Sequence, residues 1–262
     1  MFGSRAKKRL GQHFLTDRRI AARIVNSIDP QPEEQIVEIG PGKGALTGIL
    51  LKKGCFLTAV EFDRELIPFL KKKYSGFENL KIIAQDFLKL TTNDLPAKMK
   101  IIGNIPYNIT TAILEKLFDF KDKILQAVLT IQSEVAQRLT ASPGTKQYGS
   151  FSVIIAAGFN VKALFHIPPS AFKPAPAVDS TVIKIVPVSH QPKDFENFKS
   201  FTRGCFKQKR KTLCNSMQLG LNIPKNSSEA LISALGKEKN VRPEQLTLDD
   251  YLNLYNIWLD SK

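Results

Sequence analysis

The chain has 262 residues, of which 43% are hydrophobic and 24% charged, and its formal net charge is +14. This length allows one large domain and a smaller one with a buried core. No apolar run approaches the roughly 18 residues of a membrane-spanning helix, and the basic N-terminus lacks the apolar stretch of a secretory signal. Three cysteines without CxxC spacing argue against a disulfide framework or a zinc site and fit a reducing cytoplasm.

The positive charge is concentrated in two segments. Residues 1–23 carry seven basic side chains and one acid, and residues 200–212 carry five basic side chains and no acid. Such clusters suit a polyphosphate partner, although a solvated lysine-rich surface has the same composition. We therefore expect a nucleic acid as the partner in preference to a membrane.

The predicted elements alternate between strands and helices over the first half of the chain. A polar, basic arm (1–12) precedes a helix that Asp17 caps. Short apolar strands and helices then alternate, with strands predicted at 35–39, 56–60, 81–84, 100–103 and 125–131. This rhythm predicts an α/β domain with a mostly parallel, doubly wound sheet.

The pattern becomes helical in the last part of the chain. Residues 150–157 fit either a helix or a strand, and 161–167 and 178–186 predict a β pair that closes the sheet. A proline-bounded linker near 187–192 leads into a segment with helical periodicity alone. The expected division is a basic N-terminal arm (1–12), an α/β domain (13–187) and a small all-helical domain (193–262).

A glycine-rich segment follows the first strand of the predicted sheet. Glu38-Ile39-Gly40-Pro41-Gly42-Lys43-Gly44 opens a helix, and its glycines let the backbone approach a ligand. Glu61 and Asp86 end the next two strands, where carboxylates can accept the ribose hydroxyls and the adenine amine of a nucleoside cofactor. Each acid alone also fits a helix cap or a solvated charge. Because open α/β sheets bind ligands at the carboxyl ends of their strands, the set predicts a cofactor site.

The fourth strand of the predicted sheet ends in Asn104-Ile105-Pro106-Tyr107. The Asn104 side-chain oxygen and the Ile105 carbonyl could accept both hydrogens of an adenine N6 amine, and Tyr107 could stack on the base. A strand that ends in a proline turn is the structural alternative. A nicotinamide cofactor would not explain these four residues, whereas S-adenosylmethionine does. Methyl transfer of this kind needs positioning and polarisation and no metal.

Four motifs occur together and in the order of a known family. They are Gln12-His13-Phe14-Leu15, the Glu38–Gly44 segment, residues 104–109 (NIPYNI) and residues 172–180 (FKPAPAVDS). With them the chain resembles the rRNA adenine N6,N6-dimethyltransferases. Residues 147–150, 168–172, 209–213 and 242–246 are similar to the small-subunit branch, which is associated with kasugamycin sensitivity.

The resemblance implies a Rossmann-like class I methyltransferase domain followed by a helical rRNA-binding domain. It implies transfer of four methyl groups from S-adenosylmethionine to the N6 atoms of two adjacent adenines in the 3′-terminal hairpin loop of 16S rRNA, within the small subunit or its precursor. A role in small-subunit biogenesis is also implied, and nothing in the sequence demands more than a monomer. The alternatives are a non-catalytic RNA-binding assembly factor and a large-subunit rRNA adenine methyltransferase.

Motif positions also imply roles for individual residues. The implied cofactor contacts are His13, Leu15, Gly40, Glu61, Asp86 and Asn104. Asn104 would also lie beside the target amine, with Tyr107 and Phe172 on the two faces of the flipped adenine; the alternative for Phe172 is a loop side chain that fills the core. Many relatives carry Asn where this chain has His13, and imidazole likewise offers a donor and an acceptor. The implied RNA-binding residues are Lys207, Lys209, Arg210 and Lys211.

Overall fold

The computed structural model describes residues 11–189, 192 and 194–261. The predicted basic arm lies outside these residues, apart from Gly11 and Gln12. The described chain has nine strands: β1 (Phe14–Leu15), β2 (Gln35–Ile39), β3 (Phe56–Val60), β4 (Leu80–Ile83), β5 (Met99–Asn104), β6 (Ile124–Gln132), β7 (Phe159–Ile167), β8 (Phe172–Lys173) and β9 (Ser180–Pro187).

Two compact units account for the described residues. The first runs up to Ala136 and resumes over Val161–Pro187, and the second comprises Gln137–Asn160 and the chain from Val188 onward. The first unit holds the parallel strands and the second is built from helices. Residues 137–160, which the sequence analysis placed in the α/β domain, belong to the second unit because Tyr148, Val153 and Ala157 lie in its apolar core.

The main sheet has seven strands in the order β4-β3-β2-β5-β6-β9-β7. Neighbouring strands are parallel throughout the first five of this order, β4-β3-β2-β5-β6. Strand β9 runs antiparallel to β6. The predicted class, a mostly parallel α/β sheet with a helical C-terminal region, is confirmed. The two-residue strands β1 and β8 form a separate antiparallel pair that the sequence analysis did not predict.

The helices agree with the predicted pattern and differ at their ends. They are α1 (Arg18–Ile28), α2 (Thr47–Leu51), α3 (Leu66–Lys73), α4 (Thr110–Lys116), α5 (Ser133–Leu139), α6 (Ser150–Ala156), α7 (Phe195–Cys205), α8 (Leu213–Leu221), α9 (Lys225–Ala234) and α10 (Leu248–Asp260). The ambiguous segment near 150 is a helix. In the part of the chain that the structure describes, no helix is long and apolar enough to cross a membrane.

An ion pair of the buried Lys100 joins α1 to the sheet at the end opposite the glycine segment. The ammonium group of Lys100, on β5, donates to the Glu34 carboxylate and to the carbonyl of Asp29, each at 2.7 Å. Asp29 is the left-handed residue that ends α1. A buried charge is tolerated only where partners replace its water, so this pair sets where α1 ends relative to the strands.

The helical unit is closed by an aromatic core and one very close helix contact. Phe201, Tyr255 and Trp258 contact one another within it in tilted arrangements, with ring centroids 4.9 to 5.9 Å apart. α7 and α8 meet at Gly204 and Gly220, where a Cβ added to Gly220 would lie 2.2 Å from the Gly204 carbonyl oxygen. Only residues without a side chain allow this approach of the two backbones.

Gly220→Ala should therefore destabilise the helical unit. Backbone atoms cannot turn aside as a side chain can, so α7 and α8 must separate, and we expect a loss of about 1–3 kcal/mol in the free energy of unfolding. Trp258 is the only tryptophan, and its fluorescence in a urea titration reports on this unit. Gly149→Ala in the same unit is the control, because a Cβ added at Gly149 would have no atom within 4 Å; equal midpoints for both variants would contradict the prediction.

Candidate active site

A cavity of about 230 Å³ lies at the carboxyl ends of the parallel strands in the first unit. Its wall is formed by the β1 segment, the glycine segment and the residues that follow β3, β4 and β5. Most of the predicted site residues are brought together there, namely His13, Leu15, Gly40, Glu61, Asp86, Asn104 and Tyr107.

The glycine segment turns back on itself to face Glu61. Gly42 has a φ of 58°, a left-handed conformation that favours glycine, and its N–H donates to Glu61 Oε2 at 3.0 Å. The N–H of Asp63 donates to Glu61 Oε1 at 2.8 Å. Glu61 is 5% exposed. Burial raises its pKa and these backbone hydrogen bonds lower it, while the remaining lone pairs of the two oxygens can accept further donors.

Asp86 and Phe62 form another part of the cavity wall. The Asp86 Oδ1 atom caps the short 3-10 turn after β4 by accepting from the N–H of Leu88 at 3.0 Å. Phe62 follows Glu61 directly and leaves 58% of its surface exposed, although it lines the cavity. An exposed aromatic ring beside a buried acid in a cavity wall suits a flat heterocycle. Phe62 was not among the predicted site residues, and its position next to Glu61 is the signal in the sequence that points to it.

Asn104 is oriented by the backbone of the β1 segment. Its side-chain amide nitrogen donates to the carbonyl of His13 at 2.9 Å, across 91 positions of sequence. The amide plane is therefore fixed with its nitrogen toward β1. No hydrogen bond within the described ranges uses Asn104 Oδ1, so this oxygen is the acceptor that the side chain presents to a ligand.

His13 and Tyr107 stack on one another beside Asn104. Their ring centroids are 5.5 Å apart with an interplanar angle of 22°. The His13 Nδ1 atom lies 2.8 Å from the carbonyl of Pro174, and because a carbonyl can only accept, Nδ1 carries the proton. The Tyr107 hydroxyl lies 2.5 Å from Ser180 Oγ. Burial raises the pKa of Tyr107 and the Ser180 hydrogen bond lowers it.

Phe172 is the predicted site residue that the structure does not bring to the cavity. It is 4% exposed and packs in the apolar core of the first unit. The cause is the β1–β8 pairing, in which Leu15 lies opposite Phe172 and both side chains enter that core. Of the two predicted stacking residues, only Tyr107 therefore lines the cavity.

The predicted RNA-binding residues lie in the turn between α7 and α8 and separate into two kinds. Lys207, Arg210 and Lys211 are exposed. Lys209 is half-buried, and its ammonium group donates to the carbonyls of Lys146 and Tyr148. Lys209 therefore holds the 146–148 loop of the same unit, and three exposed charges are left for a polyanion.

Glu38 is a buried acid in the cavity wall that was not among the predicted site residues. It is 1% exposed and accepts a hydrogen bond from the Thr47 hydroxyl at 2.7 Å. Burial raises the pKa of Glu38 from 4.5 to about 7, against the Thr47 hydrogen bond, and the nearby Glu61 charge raises it further. At neutral pH the cavity thus contains an acid near its titration point, next to a second buried acid.

The Glu38 shift predicts a pH dependence of folding. The folded state keeps this proton up to about pH 7 whereas the unfolded state loses it near 4.5, so stability should fall as pH rises through that window, by about 3 kcal/mol for this group. Urea titrations at about pH 5 and about pH 8 should show a smaller difference for Glu38→Gln than for the wild type. The exposed Glu78 provides the control Glu78→Gln; an unchanged difference in Glu38→Gln would refute the assignment.

Among the residues that the structure describes, no group of three or more His, Cys, Asp or Glu side chains could hold a metal ion. The donor set of the cavity suits a nucleoside instead. Glu61 and Asp86 offer carboxylate acceptors, the glycine segment allows close backbone approach, and Phe62 offers an aromatic face.

Comparison with known proteins identifies a family for this chain. The family model described as ribosomal RNA adenine dimethylase matches residues 3–260. Ribosomal RNA small subunit methyltransferase A of Xanthomonas campestris pv. campestris (strain B100) is 40% identical over 263 residues, covering 98% of each chain. The Thermotoga maritima protein of the same name is 41% identical over 259 residues, covering 98% of this chain and 87% of its own.

Solved structures give the same result. A dimethyladenosine transferase from Plasmodium falciparum has a TM-score of 0.83 at 26% identity and covers 95% of this chain and 98% of its own. The 23S rRNA methyltransferase ErmE has a TM-score of 0.70 at 25% identity, with coverages of 93% and 98%. Since the family model spans nearly the whole sequence and relatives at about 40% identity are full length, this chain belongs to the ribosomal RNA adenine dimethylase family.

Proposed function

We propose that this protein transfers methyl groups from S-adenosylmethionine to the N6 atoms of two adjacent adenines in the 3′-terminal hairpin loop of 16S rRNA, two methyl groups to each base. The main support for the proposal is the orientation of the Asn104 amide. Its nitrogen donates a hydrogen bond to the His13 carbonyl at 2.9 Å, in the same cavity as Glu61 and Asp86. An acceptor fixed beside a nucleoside site is what an N6-directed methyltransferase requires.

S-adenosylmethionine supplies an electrophilic methyl group on a sulfonium sulfur. Glu61 would accept the ribose hydroxyls with the lone pairs that Gly42 and Asp63 leave unused. Asp86 would accept the cofactor adenine amine, since its Oδ1 atom already caps a turn and Oδ2 remains. His13, Leu15 and Gly40 line the same cavity and complete the proposed cofactor contacts.

Asn104 and Ile105 would act on the target amine. The Asn104 oxygen and the Ile105 carbonyl accept its hydrogens, which localises the nitrogen lone pair for attack on the methyl carbon. Tyr107 stacks on the base, a contact worth about 1–3 kcal/mol. Phe172 stays a prediction: its ring lies in the core, and stacking on the other face of the base would require the ring to turn toward the cavity.

The small subunit is favoured over the large one by degree of similarity. The relatives named as small-subunit enzymes are about 40% identical to this chain, whereas the 23S rRNA methyltransferase is 25% identical. A non-catalytic assembly factor would have no use for an oriented Asn104 next to Glu61 and Asp86. We also propose that the protein acts as a monomer on a small subunit or its precursor and contributes to subunit biogenesis.

The substrate can be tested with ribosomal subunits that lack the modification. Incubation with a tritiated methyl donor should label small subunits, and mass spectrometry of digested RNA should find N6,N6-dimethyladenosine at two adjacent loop positions. Labelling of large subunits alone would replace the proposal with the large-subunit alternative. Cofactor binding without transfer to either subunit would favour the assembly factor.

Asn104→Ala should retain cofactor and RNA binding and lose methyl transfer. Removal of one preorganised acceptor should lower the single-turnover rate about 100- to 1,000-fold. Asn26→Ala, on the exposed face of α1 in the same unit, should transfer at the wild-type rate. A wild-type rate in Asn104→Ala would remove Asn104 from the proposed chemistry.

Neutralising the three exposed charges of the α7–α8 turn should weaken RNA binding and its dependence on salt. In Lys207→Gln/Arg210→Gln/Lys211→Gln we expect the slope of log K against log salt to become shallower by about 2, since each phosphate contact contributes about 0.7–0.9. Lys52→Gln/Lys53→Gln/Lys71→Gln removes the same charge from exposed positions of the other unit and is the control. Equal slopes for the two triple variants would show that only net charge matters.

Lys209 should behave differently from these three residues. Because its ammonium group holds the carbonyls of Lys146 and Tyr148, Lys209→Gln should lower the urea midpoint reported by Trp258 as well as affinity for RNA. The triple variant of exposed residues should leave that midpoint unchanged.

A further inference from the structure

We propose that Ser180 is a positioning residue for methyl transfer, and that its hydroxyl holds the ring of Tyr107 in place to receive the target base. The two hydroxyl oxygens are 2.5 Å apart across 73 positions of sequence. This inference rests on the proposed function, in which Tyr107 stacks on adenine. It also accounts for the last residue of the 172–180 segment, whose first residue, Phe172, lies away from the cavity.

Ser180 belongs to a rigid part of the sheet. It is fully buried, at 0% exposure, and is the first residue of β9. There it pairs with Gln132 at the end of β6, and the N–H of Ser133 donates to the carbonyl of the preceding Asp179 at 3.0 Å. Because the backbone of Ser180 is paired in this way, its hydroxyl cannot move with the Tyr107 ring.

Tyr107, in contrast, lies outside the sheet. It begins a three-residue 3-10 turn, Tyr107–Ile109, and its side chain is half-buried at the cavity. A hydrogen bond at the phenol oxygen fixes the long axis of the ring, because that axis runs from Cβ to the hydroxyl. It leaves rotation about the axis free, and stacking against His13 sets that angle.

The Ser180 contact fixes the axis of the Tyr107 ring and the His13 contact sets its plane. This combination suits a ring on which a base must stack. A base that stacks on Tyr107 can rotate the ring about its long axis. The long axis itself has to stay in place, so that N6 of the stacked base remains within reach of Asn104. The Ser180 hydrogen bond supplies that constraint at the hydroxyl end of the ring. A displaced ring would misplace the base and lower the rate of methyl transfer, because reacting atoms must lie within a few ångströms and in line.

The next residue provides a built-in contrast. Successive side chains of a strand point to opposite faces, and the Thr181 hydroxyl lies 2.8 Å from Ser133 Oγ and 2.9 Å from His166 Nδ1 rather than near Tyr107. Thr181 is equally buried, at 1% exposure. Thr181→Val therefore removes a buried, hydrogen-bonded hydroxyl from the same strand without touching Tyr107.

A double-mutant cycle tests the proposal on the full-length protein. Ser180→Ala and Tyr107→Phe should each lower kcat/KM for methyl transfer to RNA by about 3- to 10-fold, the equivalent of one neutral hydrogen bond. The double variant should be no slower than either single one, since both remove the same bond. Cofactor affinity, measured by calorimetry, should not change, and Thr181→Val should retain the wild-type kcat/KM. Additive losses, or an equal loss in Thr181→Val, would reduce Ser180 to a general packing role.

A second measurement does not depend on transfer. The chain has five tyrosines, and in protein labelled with ¹³C at tyrosine Cζ, Tyr107→Phe identifies the Tyr107 resonance. Ser180→Ala should shift that resonance and Thr181→Val should not; an unmoved resonance in Ser180→Ala would overturn the hydrogen bond itself. If the resonance shifts but the wild type transfers no methyl group to RNA, the proposed function fails while the contact stands. If the wild type is active and the cycle is additive, the positioning role alone fails.

Discussion

The parallel register of β2, β3 and β5 is the constraint on which the site depends. Ile39 lies opposite Val60 on one side and Gly103 on the other. The residues that follow, Gly40, Glu61 and Asn104, therefore lie at one level at the carboxyl edge of the sheet although they are far apart in sequence. Gly103 itself is required there, because an added Cβ would lie 2.8 Å from the carbonyl oxygen of Ile39. A change of register by one residue would turn Glu61 and Asn104 to opposite faces of the sheet.

The register also brings two buried acids, Glu38 and Glu61, close together, and the structure accommodates each in a different way. Glu61 receives backbone N–H groups from Gly42 and Asp63, while Glu38 has one hydroxyl partner and a pKa raised by burial to about 7. Two neighbouring buried acids favour retention of a proton between them. The same arrangement favours a cationic ligand over a neutral one, since a positive charge is attracted by the buried Glu61 carboxylate.

Much of this organisation could be predicted from the sequence. The strands 35–39 and 56–60 have the predicted bounds, because each is a short apolar run with a clear signal at its ends. The acids and Asn104 could be placed in one cavity because they end successive parallel strands. Helix α2 begins three residues later than expected, at Thr47, since Gly44 adopts a φ of 78° and cannot open a helix.

Contacts between residues distant in sequence could not be predicted in the same way. The β1–β8 pair consists of two residues on each strand, too few for any periodicity, yet it turns Phe172 into the core. Glu38 carried no signal of its own beside the glycine segment, and the role of Lys209 as a loop anchor depends on carbonyls more than 60 positions away. Composition identified the basic cluster, whereas tertiary structure decides which of its charges are available.

The second methyl transfer imposes a further condition on the cavity. After one transfer N6 keeps a single hydrogen, so one of the two proposed acceptors loses its donor and an apolar group must fit beside the other. Asn104 cannot rotate its amide to adapt, because its nitrogen is held by the His13 carbonyl. Any adjustment would then fall to the apolar side of the wall, where Ile105, Pro106 and Ile109 line the same cavity as Asn104. A fixed polar acceptor next to apolar neighbours lets the same residues serve an amine and its monomethylated product.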